Sequence, residues 1–129
     1  MARLEPPNGK CYVGANINFS KETPQAFNKK TGINHAVFVE FFHFPLTSNN
    51  KVKNFIIKCK NAGAIALVTL EPFNGLNTVT PKACRELVQI CSDLDARIII
   101  RFEHEMNGSW YAWGQQPKKY IQKFRILAK

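Results

Sequence analysis

Between residues 101 and 113 the chain gathers Arg101, Glu103, His104, Glu105, Asn107, Trp110, Tyr111 and Trp113. Cleavage of a glycosidic bond needs a protonated carboxylic acid beside the leaving oxygen and a second carboxylate across the sugar ring. It also needs flat apolar surfaces, because the C–H faces of sugars stack on indole and phenol rings. The run supplies everything but the second carboxylate. Glu105 is the candidate proton donor, and desolvation by the two tryptophans would favour the neutral form that a donor requires. Glu103 either adds a negative charge beside it or points to solvent. The plain alternative makes Glu105 only an ion-pair partner of Arg101. Trp110 and Trp113 read as a binding platform rather than core, because Gly, Ser and Gln surround them, while Tyr111 stays open between the two.

Four β-then-α units must position these side chains. Tyr12 to Asn16 reads as a short buried strand, and Thr23-Pro24 then supplies an N-cap with proline at the first helical position, opening a helix to about Lys30. His35 to Phe42 is a second strand. A helix follows from Ser48 to Ala62, with Val52, Phe55, Ile56 and Cys59 at i, i+3, i+4 and i+7 and Gly63 suited to its end. Ile65 to Leu70 is apolar throughout, as in a strand buried on both faces. Thr80-Pro81 repeats the helix-opening signal, with Leu87, Ile90, Cys91 and Leu94 as the inner stripe. Arg97 to Phe102 is the fourth strand, and Pro117 opens a helix whose apolar stripe is Tyr120, Ile121, Phe124, Leu127 and Ala128.

Repeated β-then-α order predicts a parallel sheet with right-handed crossovers, either a small doubly wound sheet or part of a (β/α)8 barrel. A full TIM barrel takes about 250 residues, so 129 residues are expected to form a half barrel of about four βα units. Chemistry belongs beyond the carboxyl ends of the strands in both architectures. Asn16, Glu40 to His43, Glu71 and the 104–113 run all fall there. Asn16 reads as a turn residue, and His35 and His43 as structural. Glu71 is open between a polar pocket group and a cap on the next turn.

The run His104-Glu105-Met106-Asn107-Gly108, followed by Trp110-Tyr111 and Trp113-Gly114, resembles the acid/base motif of glycoside hydrolase family 26, chiefly β-mannanases on a (β/α)8 barrel. Ile98 to Phe102 resembles that family's fourth strand and Leu70-Glu71-Pro72 the end of its third. The resemblance is strong over about 20 residues and elsewhere rests on order and spacing. It implies an endo-β-mannanase-type retaining hydrolase, with residues 1–129 as a partial catalytic domain. By position, Glu105 would be the general acid/base and His104 its neighbour in the substrate site. Trp110 would be a sugar platform, with Trp113 beside or supporting it. Arg101 would lie inside the barrel holding a carboxylate. The family's nucleophile follows the seventh strand, and no residue here matches it. Glu103 stands where the family leads one to expect a small or apolar residue. Glucan and xylan enzymes share the scaffold, and a non-catalytic carbohydrate-binding remnant is the alternative from another class.

The resemblance implies a polysaccharide partner, and the remaining composition offers no competing one. The net charge of +9 comes from lysines and arginines scattered over several segments, without a nucleic-acid motif, so solvated surface is expected and nucleic acid is not. No window approaches the roughly 18 to 20 apolar residues of a membrane span. Residues 1–10 show no apolar signal region, although the family resemblance implies secretion. This leaves an intracellular protein or a missing true N-terminus. Cys11, Cys59, Cys84 and Cys91 lack metal-ligand spacing and read as small buried hydrophobes. No metal or organic cofactor is implied, because two carboxylates suffice for the chemistry. Two open sheet edges are expected to favour self-association.

Overall fold

The computed structural model describes residues 4–129; the first three residues of the N-terminal reading lie outside it. The chain runs β1 (Gly14–Asn16), α1 (Pro24–Thr31), β2 (Val37–His43), α2 (Asn49–Asn61) and β3 (Ile65–Glu71). A 3-10 turn (Leu76–Thr78), α3 (Pro81–Asp93), β4 (Ile98–Phe102) and α4 (Pro117–Leu127) complete it. The helix openings follow the sequence closely. Thr23, Ser48 and Thr80 are N-caps whose hydroxyls accept from the backbone N–H of Ala26, Lys51 and Ala83. Each satisfies one of the donors that a helix start leaves unpaired. Gly32 and Gly63 take positive φ at the ends of α1 and α2, where a side chain would be strained.

The four strands are parallel in the order β1-β2-β3-β4. Register is continuous across the sheet: Val39 lies opposite Leu67, and Leu67 opposite Ile99. Sequential neighbours joined by right-handed crossovers place every helix on one side, whereas a doubly wound sheet carries helices on both. That is what the packing shows. Phe38, Phe42, Ala66, Val68, Leu70 and Phe102 point to the helices and form one core with Val52, Phe55, Ile56, Cys59, Cys84 and Leu87. Phe27 of α1 meets the Phe38 ring edge-on and Tyr120 of α4 lies against Phe102. The opposite face carries Val39, Leu67 and Ile99, all half-buried. The fold is a half-barrel arc of four βα units, and the sheet is not closed.

Three details depart from the sequence reading. β1 is confined to Gly14–Asn16, and Asn16 is its last residue rather than a turn, with Nδ2 donating to the Val39 carbonyl. No residue of α4 is fully buried, and Ile121 and Phe124 of its apolar stripe are each 48% exposed. Cys11 is exposed, against the expectation of a buried thiol, while Cys59 and Cys84 are buried and Cys91 partly so. Burial pushes the Cys59 thiol up to about 12, so it behaves as a hydrophobe.

Candidate active site

β3 and β4 end side by side, with Leu70 opposite Phe102, and the candidate chemistry lies just beyond. The His104 ring is almost fully covered and its Nε2 lies 3.0 Å from Glu71 Oε1. Glu71 is therefore a polar group of the site, not a cap on the following turn. The two side chains join the ends of β3 and β4. Around His104 stand Phe41, Tyr111 and Trp113, all edge-on to the imidazole. Tyr111 and Trp113 stack face to face at 4.3 Å, and Phe73 meets the Trp113 ring edge-on. Aromatic pairs of this kind add roughly 0.5–1.5 kcal/mol each beyond area burial. They fix the loop on the sheet end.

Trp113 is consequently not a platform. Its ring is fully buried, and Nε1 donates to the His104 carbonyl at 2.8 Å. It offers a sugar no face; what remains to it is the supporting role. Trp110 is the opposite case. It is 68% exposed, and its Nε1 donates to Glu105 Oε2 at 2.7 Å. An open indole and an exposed carboxyl are thus tied together. Neither tryptophan encloses the carboxyl of Glu105, so the water-excluding role expected of them is not found.

Two glycines shape this loop. A Cβ on Gly108 would fall into the indole of Trp110, and one on Gly114 into the carbonyl of Gly108. The Trp110 ring therefore lies directly against backbone, and residues 108 and 114 approach closer than any side chain allows. Gly108 N to Glu105 O, Gly114 N to Tyr111 O and Gln115 N to Met106 O close the turn. Glu103, Glu105 and Gln115 all take positive φ, a conformation uncommon for residues with a Cβ. Such strain concentrates at functional sites.

Arg101 lies on the helix-free face, in register with Thr69. It is exposed, and among the described residues it makes neither an ion pair nor a hydrogen bond. No carboxylate of the described residues pairs with it, and Glu71 is engaged by His104 instead. The same observation removes the plain reading of Glu105 as an ion-pair partner of Arg101. Glu40 Oε1 accepts from the Phe41 backbone N–H.

Glu103 does not point to solvent. The left-handed φ of 49° interrupts strand alternation and sends its side chain beneath the loop, where it is 1% exposed and neither oxygen has a partner. Burial pushes this carboxyl up to about 8, with Lys123 opposing the shift. Tyr120 is raised as well, by burial and then by the charge of Glu103. The sequence reading also missed Phe73. It is 41% exposed, backed by Trp113, and 4.6 Å from the His43 ring; its place in Glu71-Pro72-Phe73, right after β3, was the available signal. Among the described residues no cluster of three or more His, Cys, Asp or Glu side chains could hold a metal ion. No helix of the described residues is long and apolar enough to cross a membrane.

Polar and aromatic side chains gathered at the carboxyl ends of a one-sided parallel sheet are the arrangement of (β/α) barrel enzymes, and an acid tied to an open indole suits sugar chemistry. The family model of glycosyl hydrolase family 26 matches residues 21–129, and the chain belongs to that family. No curated protein matches the chain.

Proposed function

We propose that this chain carries the proton-donating side of an endo-β-mannanase-type retaining site, as a partial catalytic domain whose nucleophilic carboxylate is supplied from outside these 129 residues. Membership of glycosyl hydrolase family 26 supports glycoside hydrolysis and a polysaccharide substrate. The observation that carries the particular reading is the 2.7 Å hydrogen bond from Trp110 Nε1 to Glu105 Oε2. It orients the acid beside the most exposed aromatic face of the site, so a sugar stacked on the indole has a carboxyl at its edge. In this reading Glu105 protonates the departing glycosidic oxygen and later activates water. His104, pinned by Glu71, holds the backbone on which Glu105 sits and contributes to the substrate site. Arg101 keeps its charge free on the open face for a carboxylate brought there by the rest of a site.

The test is reducing-end release from β-mannan, with mixed-linkage glucan and xylan beside it to settle specificity. Glu105→Gln is expected to lower any release by about 10²–10⁴-fold while mannan binding persists. Trp110→Ala is expected to weaken that binding. Release unchanged by Glu105→Gln would overturn the assignment. The exposure of Trp110 also favours a second reading, a non-catalytic carbohydrate-binding unit, which predicts binding without release and no effect of Glu105→Gln.

A further inference from the structure

Glu103 is the one carboxylate fully buried among the described residues, and nothing in the reaction described above uses it. It lies one residue before His104 and two before Glu105. Its two oxygens have no partner although donors stand on the neighbouring helix. Neither donor is directed at the carboxyl. Tyr120 gives its hydroxyl proton to the Phe102 carbonyl at 2.9 Å, and Lys123 Nζ donates to the Val79 carbonyl at 2.9 Å. β3 offers the carbonyl of Leu70, which accepts from the Glu103 N–H. From α4, Tyr120 and Lys123 are the titratable groups that interact with the carboxyl, and the adjoining His104 is engaged with Glu71.

An ionised carboxylate without donors in such a seat is costly, and the neutral acid far less so. The loop as described is therefore the arrangement of a protonated Glu103. Ionisation leaves two remedies: Lys123 turns a further N–H of its ammonium group to the carboxylate, or the carboxylate leaves for water. The second is favoured by the left-handed backbone at residue 103, φ 49°, since release of the side chain also relieves the turn. We propose that Glu103 is a positioning residue whose protonation holds the Glu105 loop on the end of the sheet, and whose ionisation lets residues 103–114 loosen. Its relevance to catalysis rests on Glu105 being the acid; the loop movement itself does not.

The two tryptophans of the chain, Trp110 and Trp113, both lie on this loop, so intrinsic fluorescence reads it directly. A titration of the whole chain from pH 5 to about 9.5 is expected to show a reversible change in tryptophan emission centred near the pH of about 8 at which Glu103 ionises. Far-UV circular dichroism stays constant through it. Glu103→Gln abolishes the transition, and Glu103→Ala, a second variant without the buried polar atoms, abolishes it too. Lys123→Met moves the midpoint upward, because the cation that favours ionisation is gone. A transition that survives in Glu103→Gln, a midpoint unmoved by Lys123→Met, or helix loss at the same pH would each overturn the proposal. Because the readout is emission rather than hydrolysis, its failure is distinct from failure of the Glu105 assignment.

Discussion

Glu103 and Trp113 show what residue types alone conceal. The chemistry of the Arg101–Gly114 run was legible because acid, imidazole and indoles occur together, but side-chain direction was not. Strand alternation holds up to Phe102, with Arg101 on the open face and Phe102 against the helices. It ends where Glu103 and Glu105 adopt positive φ, and no propensity announces a left-handed glutamate. Hence Glu103, read as either a charge beside Glu105 or a side chain in solvent, is buried beneath the loop, and one of two apparently equivalent tryptophans lies inside. The burial of Glu103 has a thermodynamic consequence with a definite sign. Its folded-state value of about 8 stands above the ordinary 4.5, so the native chain holds a proton that the unfolded chain has released. The folded state is therefore favoured below pH 4.5 and progressively penalised as pH rises to about 8, by a few kcal/mol at most. In thermal melts the stability of Glu103→Ala relative to the parent chain is expected to rise as pH goes from about 4.5 to about 8. A gap that does not vary with pH would contradict that sign.

At the scale of elements, the signals that held were those with a local mechanism. Thr-Pro pairs open α1 and α3 because the threonine hydroxyl takes an orphan N–H and proline needs no partner for its own. The continuous apolar run of β3 marked a strand covered on both faces; Val68 and Leu70 are fully buried toward the helices, but Leu67 on the helix-free face is only half-buried, so the reading holds for one face. α4 was harder, since periodicity reveals which face of a helix is apolar but not how much wall stands opposite. Its Tyr120 and Leu127 pack against the core, Phe124 meets the Phe102 ring edge-on but stays 48% exposed, and Ile121 is 48% exposed as well. α3 lets cap and core be compared on one helix. Thr80→Ala removes the acceptor for Ala83 N and is expected to cost about 0.5–2 kcal/mol. Leu87→Ala empties a site with no solvent exposure and is expected to cost about 2–5 kcal/mol. Urea unfolding at one protein concentration measures both, and the order of the two costs is the point at issue.

For the whole molecule, the decisive property is a sheet with two unpaired edges and one uncovered face. Among the described residues β1 pairs only with β2, and β4 only with β3. Backbone donors and acceptors along both outer edges are thus free to join another strand. The face away from the helices presents Val39, Leu67 and Ile99 half-buried, and Phe41 37% exposed, where a closed barrel would interdigitate side chains from opposite strands. Exposed Ile121 and Phe124 on α4 add a further apolar strip. The net charge of +9 opposes association through self-repulsion, but salt screens it within about 8 Å at physiological ionic strength. Hydrophobic contact and edge pairing are not screened. A sample of these 129 residues is therefore expected to self-associate, and to do so more strongly as salt is added. Sedimentation velocity across a salt series, with thermal unfolding followed over a range of protein concentrations, decides the matter. A single monomeric species with a cooperative, concentration-independent transition would refute it, and would mean that the uncovered face and both edges are stable in water as they stand.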